Sequence, residues 1–226
     1  MMEPLKLLFQ GDSVTDAGRR KNVDKPNVDL GVGYVSMVAS RLLVDHPESE
    51  IYNRGVSGNR IVDMYARWTE DALNVPFNVI SIFNGINDVG FGLRLNCGAS
   101  REKFRFIYDL LLQETKEAHP DADIVLCQPF LIKRRCDFPD NPFGSDIYEN
   151  WETWSGEIHA RGEIVRELAE KYGAVFVEFQ NAIDEALTRA PAEHWSADCI
   201  HMTLAGNELL ARKWLEDTKD ILKKYW

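Results

Sequence analysis

Three residues far apart in the chain have the types and the spacing that serine acyl transfer needs. Ser13 follows a short apolar run near the amino terminus, and Asp198 stands three positions before His201 near the other end. A serine hydroxyl is a weak nucleophile unless an adjacent base takes its proton, and an imidazole that titrates near neutrality is the usual base. A carboxylate beside the imidazole can hold its tautomer and stabilise the imidazolium that forms. We therefore take Ser13, His201 and Asp198 as candidate catalytic residues.

Acyl transfer also needs hydrogen-bond donors around the oxyanion of its tetrahedral intermediate. The candidates are the backbone N–H groups of Ser13 and Gly55 and the side-chain amide of Asn87, because each residue follows a predicted strand. Gly55 suits this role because a residue without a side chain lets the reacting oxygen approach the main chain. Ser57 is not an alternative nucleophile, because the G-x-S-x-G pattern of a nucleophile elbow is absent.

Each of these residues also has a simpler structural explanation. Asp12 and Ser13 are residue types that cap helices, and Asn87 could be a cap as well. The segment 55–58 could be only a turn, and the Asp-x-x-His pair could lie on the surface without a function. The catalytic interpretation rests on the joint occurrence of all four segments in the right order at predicted strand ends.

The hydrophobic pattern alternates between strands and helices along the whole chain. We predict strands at 5–9, 50–53, 77–83, 123–127 and 174–177, and helices at 34–45, 61–68, 104–118, 158–172, 183–187 and 203–223. This alternation predicts one α/β domain over residues 1–226, with a central parallel five-stranded sheet covered by helices on both faces. Ligands bind such sheets at the carboxyl ends of the strands, where the four polar segments are expected to meet.

The segment 133–150 is longer than an ordinary connection, so we expect a lid or an interface loop there. Several aromatic side chains lie in or beside the long loops near the proposed site. They are either platforms for sugar rings or packing residues of the loops or of an oligomer contact: Trp151, Trp154, Phe138, Phe143 and Trp195. Asp12 and Trp195 are the candidate substrate-binding residues.

The charge of the chain is strongly negative. The 26 basic and 36 acidic residues give a net charge of -10. We expect neither nucleic acid nor an anionic membrane as a partner, because phosphate binding needs a basic surface and the cluster Lys133–Arg135 is too short to provide one. Residues 1–6 show no secretory leader and no apolar run could span a membrane, so we expect a cytoplasmic protein.

Two further expectations concern cysteines and assembly. Four widely spaced cysteines match neither a zinc motif nor a disulfide framework, so we expect reduced thiols, no metal and no cofactor: Cys97, Cys127, Cys136 and Cys199. The aromatic carboxyl terminus, Tyr225 and Trp226, could seal a subunit contact together with the segment 133–150. We therefore expect a homo-oligomer.

The sequence resembles the GDSL, or SGNH, hydrolase family in four blocks, which are Gly11–Asp16, Asn53–Asn59, Gly85–Asp88 and Asp198–His201. The resemblance implies a flavodoxin-like three-layer α/β/α fold with Ser13 as nucleophile, His201 as base and Asp198 as its partner. It also implies an oxyanion hole, formed by Ser13, Gly55 and Asn87. Two positions depart from the family pattern and put the local geometry in question: Cys199 stands where glycine is common, and Met202 where proline often follows the histidine.

Within this family, the longer matching stretches are most similar to the cytoplasmic acetylxylan esterases and other carbohydrate acetylesterases. They include Gly11–Gly18, Gly31–Val35, Gly55–Asn59 and Gln128–Phe130. The resemblance implies a small-molecule ester substrate and the removal of acetyl or other short acyl groups from xylo-oligosaccharides or similar sugars. Substrate choice depends on pocket walls that these motifs do not describe.

Three other functions stay open at this point. A lysophospholipase or thioesterase would use the same residues on a longer apolar acyl chain. A metal-dependent phosphoester hydrolase would need oxygen and nitrogen ligands, although no compact ligand spacing supports it: Asp12, Asp16, Asp88, Asp198, His194 and His201. A non-catalytic sugar-binding protein is the third, and the complete set of reacting groups argues against it.

Overall fold

A five-stranded parallel sheet forms the centre of the molecule. The computed structural model describes residues 3–21, 25–136 and 143–226. The strands are β1 (Lys6–Gly11), β2 (Glu50–Asn53), β3 (Val79–Phe83), β4 (Asp123–Cys127) and β5 (Val175–Val177). Their order across the sheet is β2-β1-β3-β4-β5, and every neighbouring pair is parallel. This order is the flavodoxin-like one, so the predicted fold class is confirmed.

Helices cover both faces of this sheet. They are α1 (Ser13–Asp16), α2 (Tyr34–Asp45), α3 (Ile61–Ala66), α4 (Ile86–Leu95), α5 (Arg101–Ala118), α6 (Gly144–Glu149), α7 (Trp151–Tyr172), α8 (Phe179–Leu187), α9 (Ala192–Trp195) and α10 (Leu204–Leu222). A π-helical turn at Thr69–Leu73 follows α3, and a 3₁₀ turn at Lys223–Tyr225 follows α10. The predicted strands and helices are present, but α7 begins at Trp151 where the prediction began at 158, and α8 begins at Phe179 where it began at 183.

Two apolar cores lie on the two faces of the sheet, because successive side chains of a strand point to opposite sides. Phe9 of β1 packs in one core with Tyr34 of α2 and Trp214 of α10. Its neighbour Leu8 belongs to the other core, together with Trp68. Both cores reach the carboxyl edge of the sheet, so the loops there stand on a packed base.

Four helices, α1, α4, α6 and α9, were not predicted from the sequence, and α1 has only four residues. Helix α4 follows Gly85 and contains Gly90 and Gly92, which are typical of turns in a sequence pattern. Helices α6 and α9 have six and four residues, too few to show a helical period. Helix α4 carries the candidate oxyanion donor Asn87 as its second residue.

The aromatic residues near the segment 133–150 have different surroundings. Phe143 and Trp154 are buried in the core, and Trp154 Nε1 donates to Asp146 Oδ2 at 2.8 Å. For these two residues the packing interpretation is confirmed. Trp151 is only partly buried, with Lys133 Nζ 5.6 Å from its ring centre. Phe138 lies outside the described residues, as does part of the expected lid or interface loop.

The aromatic carboxyl terminus packs on its own chain. The Trp226 ring stacks on His46 with 3.8 Å between ring centres, and Tyr225 Oη donates to the Asn78 carbonyl at 3.1 Å. These contacts occupy both residues within the chain, and the homo-oligomer stays a prediction. All four cysteines are free thiols. Within the described ranges we find no helix with the length and apolarity that crossing a membrane requires.

Replacement of Trp154 by alanine is expected to lower the free energy of unfolding by about 3–5 kcal/mol, because a fully buried indole leaves a cavity. Trp151→Ala is the matched control and is expected to cost about 1 kcal/mol, since its ring is only partly buried. Urea unfolding followed by circular dichroism measures both values. Equal losses in the two variants would contradict the core position of Trp154.

Candidate active site

Ser13 stands at the turn from β1 into the short helix α1. Asp12 is the N-cap of this helix, and its Oδ1 accepts from Val14 N at 3.1 Å. Ser13 is the first helical residue, and the first N–H groups of a helix have no intrahelical partner. Its N–H is therefore available to a bound oxygen atom, beside its own hydroxyl.

The structure brings Ser13, His201 and Asp198 into one hydrogen-bonded chain. Ser13 Oγ lies 2.8 Å from His201 Nε2, and His201 Nδ1 lies 2.6 Å from Asp198 Oδ2. Asp198 Oδ1 accepts from His201 N at 2.6 Å and from Ile200 N at 3.1 Å, which fixes the carboxylate on its own turn. The His201 side chain is 46% exposed and that of Asp198 only 11%. The imidazole thus faces solvent while its partner is covered.

The electrostatics of this pair favour a charged imidazole. The hydrogen bond that His201 donates to Asp198 raises the pKa of His201 above its ordinary value of 6.5, although burial acts the other way. Burial raises the pKa of Asp198, but the bonds from His201 and the backbone outweigh it, so this pKa lies below its ordinary range. A proton transferred from Ser13 to the imidazole would therefore be stabilised by a carboxylate that stays ionised.

The turn that carries Asp198 and His201 is fixed by main-chain bonds. Ser196 and Met202 form an antiparallel bridge across it, and Ala197 N donates to His201 O at 2.8 Å. Cys199 has φ = +79°, the left-handed conformation that glycine adopts most easily. The departure from the family pattern at this position therefore leaves the glycine-like backbone shape in place.

A neighbouring segment fastens the same turn from outside. Ile132 N donates to Cys199 O at 3.0 Å, and Arg134 Nη1 donates to the carbonyls of Ser196 and Ala197. Cys199 Sγ donates to Arg134 O at 3.3 Å. Residues 132–134, which follow β4, are thus hydrogen-bonded to the turn that carries Asp198 and His201.

The two expected substrate-binding residues have other contacts in the structure. Asp12 is 1% exposed and caps α1, and burial raises its pKa to about 6. Its expected role in substrate binding stays a prediction, which its position as a buried cap does not support. Trp195 Nε1 donates to Ala190 O at 3.2 Å, and Arg189 lies over its ring. Trp195 is only partly buried, so its expected role stays a prediction.

Gly55 is placed differently from the expectation. Its N–H donates to Asn53 Oδ1 at 2.9 Å, so it is not free for an oxyanion. A side chain here would put its Cβ 2.5 Å from Asp16 N, so glycine is required for the close approach of the two loops. The sequence contained this signal, because asparagine side chains often bond the N–H two residues ahead.

The next turn, from Val56 to Asn59, offers a second N–H. Asn59 N donates to Val56 O at 3.1 Å and closes the turn, in which Gly58 has φ = +82°. Among the described residues we find no acceptor for the Gly58 N–H. Sequence reasoning missed Gly58, because the segment 55–58 reads as one flexible turn without a distinction between its two glycines.

Asn87 is held by a backbone carbonyl of the same turn. Its Nδ2 donates to Asn59 O at 3.1 Å, and Asn84 Nδ2 donates to the same oxygen at 3.0 Å. An amide nitrogen carries two protons, so one proton of Asn87 orients the group and the other stays available. Sequence reasoning also missed Asn59, since its role depends on a contact between loops.

Of the acidic and histidine residues considered as metal ligands, Asp198 and His201 contact each other. Asp16 accepts from Ser57 N at 2.9 Å, and Asp88 accepts from Ile61 N at 3.0 Å, so these two carboxylates bind different backbone groups. In the part of the chain that the structure describes, no three His, Cys, Asp or Glu side chains could hold one metal ion.

Comparison with known proteins agrees with this geometry. Residues 9–209 match the model of the GDSL-like lipase/acylhydrolase family. The chain belongs to this family. It is 31% identical to an acetylxylan esterase from Geobacillus stearothermophilus over 94% of this chain and 93% of that protein. As a member of the GDSL-like acylhydrolases, it is a carboxylic ester hydrolase.

Solved structures of family members have the same fold. A GDSL-like protein from Parabacteroides merdae superposes with a TM-score of 0.87 at 34% identity, and covers 97% of each chain. The acetylxylan esterase Axe2 from Geobacillus stearothermophilus superposes with a TM-score of 0.80 at 30% identity, over 96% of this chain and 94% of that one. The family match over residues 9–209 includes all four sequence blocks.

The imidazole of His201 is expected to titrate above pH 6.5, because Asp198 stabilises its charged form. In Asp198→Asn the pKa of His201 is expected to fall, since a neutral amide no longer favours the proton. NMR titration of the ring protons measures the pKa in the wild type and in the variant. An unchanged pKa in the variant would contradict the pairing.

Proposed function

We propose that this chain is a serine esterase that removes acetyl or other short acyl groups from carbohydrates such as xylo-oligosaccharides. One observation carries the proposal: a continuous chain of hydrogen bonds runs from Ser13 Oγ through His201 to the covered carboxylate of Asp198. In a carboxylic ester hydrolase, this is the arrangement that activates a serine hydroxyl.

The first half of the reaction forms an acyl-enzyme. Ser13 Oγ attacks the carbonyl carbon of the ester, and its proton passes to His201 Nε2. The tetrahedral intermediate collapses when the sugar oxygen leaves and takes that proton from His201. The acyl group is then bound to Ser13 as an ester.

The second half releases the acid. A water molecule attacks the acyl carbon while His201 Nε2 takes its proton, and His201 returns this proton to Ser13 Oγ as the acid leaves. Asp198 keeps the imidazole oriented and stabilises its charged form in both halves. The raised pKa of His201 supports this role, because it reports the same stabilisation.

Three donors are proposed for the oxyanion. They are the N–H groups of Ser13 and Gly58 and the second proton of Asn87 Nδ2. Gly58 replaces Gly55, whose N–H is bonded to Asn53. Donors held before the substrate arrives need no reorganisation in the transition state, and they act there more strongly than in water.

The sugar substrate is supported by relatives and not by the geometry of the pocket. The curated relative is an acetylxylan esterase, and solved relatives include an acetyl-xylooligosaccharide esterase. That structure matches 96% of this chain at 30% identity. Deacetylation of short xylose oligomers is therefore the substrate assignment that we propose.

A panel of acetylated xylo-oligosaccharides and nitrophenyl esters of increasing chain length tests the proposal. We expect acetyl esters to be the best substrates and Ser13→Ala to lose nearly all turnover, because only the serine oxygen accepts the acyl group. Undiminished activity in Ser13→Ala would refute the serine mechanism. A best substrate at eight carbons or longer would instead support a lipid acyl hydrolase, the alternative noted above.

Asn87→Ala is expected to lower kcat by about 10²–10³, because one oxyanion donor is lost. KM is expected to change much less, since the donor acts mainly in the transition state. Asn84→Ala is a matched control, because it removes a similar bond to Asn59 O without removing a proposed donor. Steady-state kinetics on nitrophenyl acetate compare the variants, and equal kcat losses would contradict the role of Asn87.

A further inference from the structure

One guanidinium, that of Arg67, joins the segments that end at the active site. Arg67 Nη1 donates to Gln10 Oε1 at 2.9 Å and to Arg54 O at 2.9 Å, and Nη2 donates to Gly11 O at 3.4 Å. These acceptors lie at the end of β1 and just after β2. The Arg67 side chain is only 16% exposed, so these bonds lie largely out of water.

The same guanidinium also reaches the turn behind Asn87. Arg67 Nε donates to Asn59 Oδ1 at 2.6 Å, while the Asn59 carbonyl accepts from Asn87 Nδ2 at 3.1 Å. The side chain of Asn59 is thus bonded to Arg67, and its backbone carbonyl is bonded to the side chain of Asn87. The path from Arg67 to Asn87 contains two hydrogen bonds and one intervening residue.

We propose that Arg67 is a positioning residue for the oxyanion hole, which acts through Asn59 on the amide of Asn87. The inference rests on the proposed function, because it takes Asn87 as an oxyanion donor. Arg67 touches neither the reacting serine nor the histidine. It fixes the turn that ends at Asn59 against the end of β1, from which Ser13 follows.

Arginine suits this position because a planar guanidinium presents five N–H donors in a fixed fork. Here the fork serves four separate acceptors, and Asp71 Oδ2 accepts from Nη1 at 3.0 Å as its charge partner. Burial lowers the pKa of Arg67, and the bond to Asp71 acts in the opposite direction. A lysine ammonium is a single point of charge and cannot span the acceptors on both sides.

The test measures kcat and KM on nitrophenyl acetate for Arg67→Met and Arg67→Lys. We expect both variants to lose about 10- to 100-fold in kcat, because small displacements of a catalytic donor have effects of that size. KM is expected to stay within about threefold. Arg166→Met is the control, since Arg166 of α7 is a partly buried arginine that pairs with Glu178. This variant is expected to keep the wild-type kcat. An unchanged kcat in both Arg67 variants would overturn the proposal.

A double-variant comparison tests the path through Asn87. If Arg67 acts on that amide, Arg67→Met in an Asn87→Ala background is expected to reduce kcat by less than about twofold further. The full single-variant loss in that background would overturn the path, because it would show an effect independent of Asn87.

The inhibition constant of a boronic acid separates a positioning role of Arg67 from a purely structural one. The serine oxygen adds to the trigonal boron while its proton passes to His201, and a hydroxyl oxygen of the resulting tetrahedral anion faces the oxyanion donors. The inhibition constant is expected to rise in Arg67→Met by about the factor that kcat falls. An unchanged inhibition constant would contradict the proposal.

Asn59→Ala covers the case in which Arg67→Met does not fold. It removes only the Oδ1 that binds Arg67 Nε and leaves the backbone carbonyl for Asn87. We expect a loss in kcat with little change in KM, and a wild-type kcat would overturn the inference. Full activity in Ser13→Ala would refute the proposed function itself, so the two failures are distinguishable.

Discussion

The parallel pairing of β1 with β3 is the constraint on which the site depends. Its register sets Gly11 opposite Phe83, so the segments with Ser13 and Asn87 leave the sheet at the same level. A side chain at Gly11 would put its Cβ 2.5 Å from Phe83 O, and the strands could not approach in this way. A slip by one residue would also exchange the side chains that β1 places in the two cores. The pairing that forms the core therefore determines the distance between the proposed nucleophile and donor.

Above this edge, buried polar groups replace apolar packing. Asp12 and Asp88 are each 1% exposed, and burial raises the pKa of Asp88 to about 7. Buried carboxylates are unfavourable unless they are hydrogen-bonded, and each of these binds a backbone N–H at the start of a helix. The loops are thus joined by directional bonds. Such bonds fix geometry in a region that must stay open to a substrate, where an apolar core could not form.

The sequence predicted the five strands because buried parallel strands are continuous apolar runs that end at polar turns. It also indicated Ser13, Asp198 and His201 as candidates, since few residue types can perform that chemistry, and the structure joins them by hydrogen bonds. Helix α4 was missed because its glycines resemble a turn. The contacts of Asn59 and Arg67 could not be predicted, because they join segments whose spatial order is known only after the strands are paired. Local patterns reveal reacting groups, whereas long-range contacts determine how they are held.

Arg134 links the segment after β4 to the turn that carries Asp198 and His201. Arg134 donates to the carbonyls of Ser196 and Ala197, and Ile132 N bonds the carbonyl of Cys199. The segment after β4 is therefore bonded directly to the turn that carries Asp198 and His201. A displacement of this segment would also displace the backbone that holds the imidazole of His201 near Ser13 Oγ.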